Sequence, residues 1–188
     1  MSRITIDLTD SAAKELERLQ TITGHSSPEQ LRIALDLYRN KYSVKHYVCG
    51  FMFNQEKTQV VLIRKLRPEW QKGKLNGVGG HIEDGEKPEE AMSREFEEEA
   101  GIPNTKWTLV AEYDVRDTPD SCQVAQVYFF KSFGDIHSIC SRTDEEVIVY
   151  PVSDINSVNV LLKLRFLIPM CLNEEIFVPF KFSGKRDK

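Results

Sequence analysis

The sequence predicts an α+β chain: strands interspersed with two helices build a sheet covered on both faces, preceded by a small strand–helix–helix segment. Three observations predict it. Strand-like runs stand at 47–53, 60–64, 107–115, 123–132 and 146–152. Helical patterns fall at 88–100 and around 158–171. A short pattern of different character precedes them, so the chain divides into residues 1–42 and 43–188.

The first segment opens with alternation: Ile4, Ile6 and Leu8 share one face and Arg3, Thr5 and Asp7 the other, which is a strand signal. Thr9, Asp10 and Ser11 then offer helix N-caps, and Ala12, Leu16, Leu19 and Thr23 recur at helical spacing. Gly24 suits the left-handed end of that helix. Ser26 or Ser27 before Pro28 starts a second helix, with Leu31, Ala34, Leu35 and Tyr38 as its apolar stripe. A strand, helix, helix pattern of this length resembles the ribbon-helix-helix family, whose members pair through the strand. So small a segment buries little surface alone. The resemblance therefore implies a homodimer through residues 1–42. In that family the polar strand face reads DNA. Here Asp7 opposes phosphates, and the segment carries six basic and six acidic side chains, so dimerisation is favoured over DNA binding.

Composition narrows the function classes. Hydrophobic residues make up 40% of the 188 and charged residues 29%, enough for a core and too apolar for disorder. The net charge of −4 gives no global pull toward nucleic acid or an anionic membrane. The N-terminus lacks a signal-peptide pattern, and the longest near-apolar segment, 158–172, is broken by Lys163, Arg165 and Pro169. Cys49, Cys122, Cys140 and Cys171 form no CxxC pair and fit buried reduced thiols. A soluble, cytoplasmic protein is expected.

The segment that carries chemistry runs from Gly79 to Ile102. Pro88 suits the first turn of a helix and Gly101 its end. Glu95, Glu98 and Glu99 stand at i, i+3 and i+4, an arc of about 100°. Met92, Phe96 and Ala100 occupy the adjoining arc and face the core. Like charges so placed destabilise a helix by about 0.2–0.5 kcal/mol per pair. Hard divalent cations, which take oxygen ligands and bridge carboxylates to phosphates, offset that. Arg94 lies one turn from Glu98 and can orient it. Gly79, Gly80 and Gly85 let the preceding loop turn tightly. His81 reads as an incidental loop or core histidine.

The same segment satisfies G-x5-E-x7-R-E-U-x-E-E-x-G-U, with U a bulky apolar residue, from Gly80 to Ile102 without a departure. Seven fixed positions coincide by chance in about one window in 10⁸ to 10⁹. This is the Nudix box, and residues 43–188 resemble a whole Nudix domain, which implies an α/β/α sandwich with a mixed sheet. Within the family they look most like the MutT-type and mammalian-type pyrophosphatases that sanitise oxidised purine nucleoside triphosphates. The run 73–80 is similar to the approach to their box, which makes Asn76 the expected base contact, with Gly80 beside the substrate. Phe180 to Gly184 resembles a C-terminal strand. Thr143-Asp144-Glu145 resembles a loop that supplies a further catalytic or metal-linked carboxylate, and Glu145 is its candidate. One departure concerns the base: where the mammalian-type enzymes have paired aspartates, this chain has Lys163 and Leu164.

The resemblance implies hydrolysis of a nucleoside diphosphate linked to another group. Glu95, Glu98, Glu99 and the Gly79 carbonyl would hold Mg²⁺ or Mn²⁺, and a box glutamate or Glu145 would take the proton from water. Glu86 would hold the loop. The expected substrate is a (deoxy)nucleoside triphosphate, oxidised or not. ADP-ribose, dinucleotide polyphosphates and capped RNA are the alternatives, with Pro119 near a position that marks the ADP-ribose enzymes. A nucleotide-sensing DNA-binding regulator is a reading from another class, and the full set of carboxylates argues against it.

Overall fold

In the computed structural model, which describes residues 9–42, 44–103, 105–116, 123–176 and 179–185, the first two elements are helices. Met1–Ser43 and Val44–Lys188 are separate compact units. In the first, α1 spans Asp10–Thr23 and α2 spans Ser27–Tyr42. Thr9 caps α1 by accepting from the Ala12 N–H at 3.4 Å, and Gly24 ends it at φ 73° with its N–H on the Gln20 carbonyl. The buried Gln30 amide joins the two helices by donating to Thr23 Oγ1 and to the His25 carbonyl. The expected strand at residues 3–8 lies outside the described residues, as do Pro119 and Cys122.

The second unit contains β1 (Lys45–Phe53), β2 (Gln59–Arg64), β3 (Leu75–Asn76), α3 (Pro88–Ala100), β4 (Thr108–Arg116), β5 (Gln123–Phe133), β6 (Glu146–Pro151), α4 (Leu164–Leu172) and β7 (Phe180–Lys185). Its sheet runs β3-β2-β1-β5-β4-β7, and β6 also pairs with β2. The β1–β5 and β4–β7 pairs are parallel and the others antiparallel, so the sheet is mixed.

Side-chain alternation sends each strand's residues to opposite faces. Phe51 and Phe53 of β1 join Leu62, Phe129 and the α4 residues Leu164, Leu167 and Ile168 in one core. Met52 joins Val61, Ile63, Phe130 and the α3 residues Ala91, Met92 and Phe96 in the other. Val60 to Ile63 are fully buried, as a strand covered on both faces requires. Phe96 has no exposed surface, so truncating it to Ala costs about 3–5 kcal/mol.

The last helix is shorter than its sequence pattern. Helical spacing predicts it from about Val158, yet α4 begins at Leu164. The intervening stretch pairs with β3 instead: the Leu75 N–H donates to the Asn159 carbonyl, and the Leu161 N–H donates to the Leu75 carbonyl. An edge strand offering free backbone groups competes with helix for this apolar run. The cysteine expectation is also corrected in part. Cys49 and Cys171 are buried free thiols, but Cys140 is exposed, because its loop covers the C-terminus of α3 from outside the core.

Candidate active site

The site arises where β1 and β2 part. They pair at Phe53 and Val60 and then diverge. Residues 78–82 fill the gap along β1: the Val48 N–H donates to the Gly80 carbonyl, Gly50 to Val78, and Ile82 to His46. This fastens the glycine loop to the sheet beside α3. Two glycines lie there. Gly79 holds φ 149°, and a Cβ on it would sit 2.2 Å from the Val48 carbonyl oxygen. A Cβ on Gly80 would stand 2.5 Å from the Glu95 carboxyl group, so a side chain there would displace that glutamate from its place against the loop.

Helix α3 begins at Pro88 and ends at Gly101, which adopts φ 79° and donates its N–H to the Glu97 carbonyl. Arg94 is the hub of its exposed side. Its guanidinium grips Glu86 with two bonds of 2.9 and 3.0 Å, reaches Glu95 at 2.9 Å and Glu98 at 3.2 Å, and donates to the His81 carbonyl at 3.0 Å. Glu86 also accepts from the Glu83 N–H, so it ties the loop to the helix. The Arg94 hydrogen bonds hold its carboxyl below the usual carboxylate value.

A cavity of about 340 Å³ opens beside this hub. Gly79, Gly80, Glu95 and Glu99 form one side. Lys65, Arg67 and Thr143 to Glu145 form the other, with His81 at the boundary. Of the three glutamates on the α3 arc, Glu95 and Glu99 face the cavity. Glu98 does not line it; its side chain is 56% exposed and held by Arg94. Burial pushes the Glu95 carboxyl up against the opposing Arg94 hydrogen bond. Burial pushes Glu99 to about 7, although Lys65 and the Gly79 N–H, which donates to it at 3.0 Å, favour its charged form.

Glu145 reaches the same cavity from the loop before β6. It is buried, yet its carboxyl is held below the usual value. Burial would raise it, but the hydrogen bond from Lys65 and those from the Leu66 and Arg67 N–H groups outweigh that. The register of β2 against β6, with Arg64 opposite Glu146, sets up a row of pairs: Arg64–Glu146, Lys65–Glu145 and Arg67–Asp144. Lys65 and Arg67 are the residues that sequence reasoning missed. Their signal was the alternation of cations past the end of a buried strand, facing an acidic turn far along the chain. His81, read as incidental, lies at the cavity with its ring edge-on to Tyr47.

Asn76 is not brought to this cavity. On β3 its carbonyl oxygen accepts from its neighbour's Gly77 N–H at 2.9 Å and faces Cys49 Sγ at 3.7 Å, and its amide donates to Gln71 at 3.3 Å. Lys163 precedes α4 with its ammonium 4.7 Å from the centre of the Tyr113 ring, and Leu164 is buried in the core.

The donor set suits a hard cation. Its side chains are carboxylates, Glu95 and Glu99 are both desolvated, and the charge of Glu95 adds to the rise at Glu99. Among the described residues, no three His, Cys, Asp or Glu side chains are gathered as a ready cage, and Arg94 holds one oxygen each of Glu95 and Glu98.

Known proteins place this arrangement. The NUDIX domain family matches residues 45–166. No curated protein is similar enough in sequence to count as a match. Among solved structures, a mutator MutT protein from Bacillus halodurans is similar with a TM-score of 0.61 and 17% identity, over 77% of this chain and 92% of that one. A MutT from work on Aliivibrio salmonicida and Vibrio cholerae is similar with a TM-score of 0.52 and 20% identity, over 69% and 97%. The NUDIX domain of Shewanella oneidensis NrtR, solved with ADP ribose, is similar with a TM-score of 0.59 and 13% identity, over 69% and 87%. At these identities the structures share the fold alone, and it is the family match over most of the chain, falling on the strands, glycine loop and glutamate helix just described, that shows this chain to belong to the Nudix hydrolase family.

Proposed function

We propose that the chain is a divalent-metal-dependent pyrophosphohydrolase acting on a nucleoside diphosphate linked to another group. Its best substrate is a (deoxy)nucleoside triphosphate, oxidised or not, cleaved to a monophosphate and pyrophosphate. The observation that carries this reading is the cavity, with Glu95, Glu99 and Glu145 beside Lys65 and Arg67 around the Gly79–Gly80 loop. Carboxylates for a cation and cations for phosphate stand within one small volume.

Glu95, Glu98, Glu99 and the Gly79 carbonyl would hold Mg²⁺ or Mn²⁺. When bound, the metal neutralises the diphosphate and lowers the pKa of a bound water. Arg94 positions Glu95 and Glu98 on the helix while Glu86 anchors it. Gly80 would present its backbone to a phosphate in the cavity beside Glu95. A box glutamate or Glu145 takes the water proton. Glu145 is committed to Lys65 and two backbone N–H groups, which favours a box glutamate as the acceptor.

Asn76 remains the proposed base contact, supported by its half-buried place on β3 beside Gln71. The positions matching the paired aspartates carry Lys163 and Leu164, so the oxidised purine is not singled out from other bases. A panel of nucleotides with Mg²⁺, including ADP-ribose because of the NrtR likeness, resolves the matter by chromatography of the products. Release of pyrophosphate from a triphosphate is the expected result, and turnover of ADP-ribose alone would replace this substrate. The segment 1–42 acts as a dimerisation module, so light scattering is expected to show two chains, and one chain for Ile6→Asp, where the charge would be desolvated without a partner.

A further inference from the structure

Two cation–carboxylate pairs stand side by side at the rim of the cavity, and they differ in commitment. The side chains of Lys65 and Glu145 are 14% and 5% exposed, and Glu145 also accepts from the Leu66 N–H at 2.6 Å. Breaking that pair strands a desolvated carboxylate. Arg67 and Asp144 also line the cavity, but their side chains are 70% and 59% exposed. Water screens that pair and competes for both ends, so its partner is easily exchanged. The Arg67 backbone is anchored by its own N–H, which donates to Glu145 Oε1 at 3.3 Å, and this keeps the root of the side chain beside the cavity. A guanidinium presents paired donors that match a phosphate, and a dianionic terminal phosphate outcompetes a single carboxylate for them.

We propose that Arg67 reads the length of the substrate's phosphate chain: it leaves Asp144 for a terminal phosphate, and so favours a nucleoside triphosphate over a nucleoside diphosphate. Asp144 is the internal competitor that holds Arg67 in place until a chain of sufficient length arrives. The inference rests on the reading of the cavity as a nucleotide pyrophosphohydrolase site. It adds the residue that selects among substrates and the atoms it grips. The buried pair beside it fixes the loop, and the exposed pair does the selecting.

The test compares wild type, Arg67→Gln, Arg67→Lys and Asp144→Asn on dGTP and dGDP with Mg²⁺. Calorimetry with the α,β-methylene analogues of both supplies a readout besides turnover. For Arg67→Gln, KM and the analogue dissociation constant are expected to rise about tenfold for the triphosphate and less than about twofold for the diphosphate. Arg67→Lys restores part of the loss, because it keeps charge without the fork. Asp144→Asn tightens triphosphate binding by about twofold to threefold, since the competitor is gone. Equal losses on both nucleotides, or none on either, overturn the inference while leaving the hydrolase reading intact. A wild type that turns over neither nucleotide overturns both.

Discussion

Glu99 and Glu145 line one cavity, are both largely withdrawn from water, and are held in opposite electrostatic states. The Glu99 carboxyl is pushed up to about 7 and that of Glu145 is held low. Burial acts on both in the same direction. What differs is the company: Glu145 has a lysine and two backbone N–H groups in direct contact, whereas Glu99 has one N–H and only the field of Lys65. The comparison teaches that the site keeps one acid satisfied by the protein and leaves the other waiting for a cation. A glutamate already paired is poorly placed to take a metal, and one that is desolvated and short of donors is well placed.

The largest expected effect removes carboxylates proposed to hold the metal. Glu99→Gln and Glu98→Gln are expected to lower Mg²⁺-dependent turnover by at least about a hundredfold while the fold survives. Steady-state kinetics and thermal melting of each variant check it, and unchanged turnover in both would remove these residues as metal ligands. Next comes the satisfied side. Lys65→Met leaves Glu145 buried without its cation, at a cost of about 3 kcal/mol, the low end for such pairs because two N–H donors remain. For a unit of this size that lowers Tm by about 6–12 °C. The double variant with Glu145→Gln should recover most of the loss, and a melt showing no recovery would mean that Lys65 stabilises the fold in another way.

The smallest effect sharpens the comparison through pH. Glu99, raised from an ordinary value of 4.5 to about 7, contributes stability below 4.5 and loses it as pH rises through about 7. Glu145, lowered in the fold, contributes above its ordinary value and loses that contribution only as acid titrates it. In chelator, melting of wild type should therefore decline between about pH 5 and pH 7.5 by a few degrees more than that of Glu99→Gln. Added Mg²⁺ competes with the proton at Glu99, so its stabilisation should be greater at the higher pH. Identical pH profiles for the two proteins would show that Glu99 is not the group that titrates.

Much of this was legible in the residues. Pro88 and Gly101 bracket α3 in the sequence and bound it in the fold. Thr9 and Gly24 do the same for α1. The β2 run of Val60 to Ile63 announces a strand buried on both faces. The failures share a cause. The apolar stretch from Val158 looked helical because periodicity is local, whereas its first residues were claimed by the edge of β3. Glu98 shares the α3 arc with Glu95 and Glu99, and it is Arg94 that holds it beside, rather than in, the cavity those two line. Lys65 and Arg67 lie outside the glycine–glutamate motif, and their partners stand about eighty residues away.

The chain's order alone determined the glutamate helix, the glycine loop before it and the oxygen-rich chemistry they imply. These depend on spacing within about two dozen residues, where helical period and turn chemistry act directly. Only the tertiary structure decided which carboxylates share a cavity and which are satisfied. The antiparallel register of β2 and β6 brings Lys65 to Glu145 and Arg67 to Asp144 across about eighty residues of sequence. A pair so distant leaves no periodic trace, because its energy depends on burial and donor geometry that exist only once the sheet has formed.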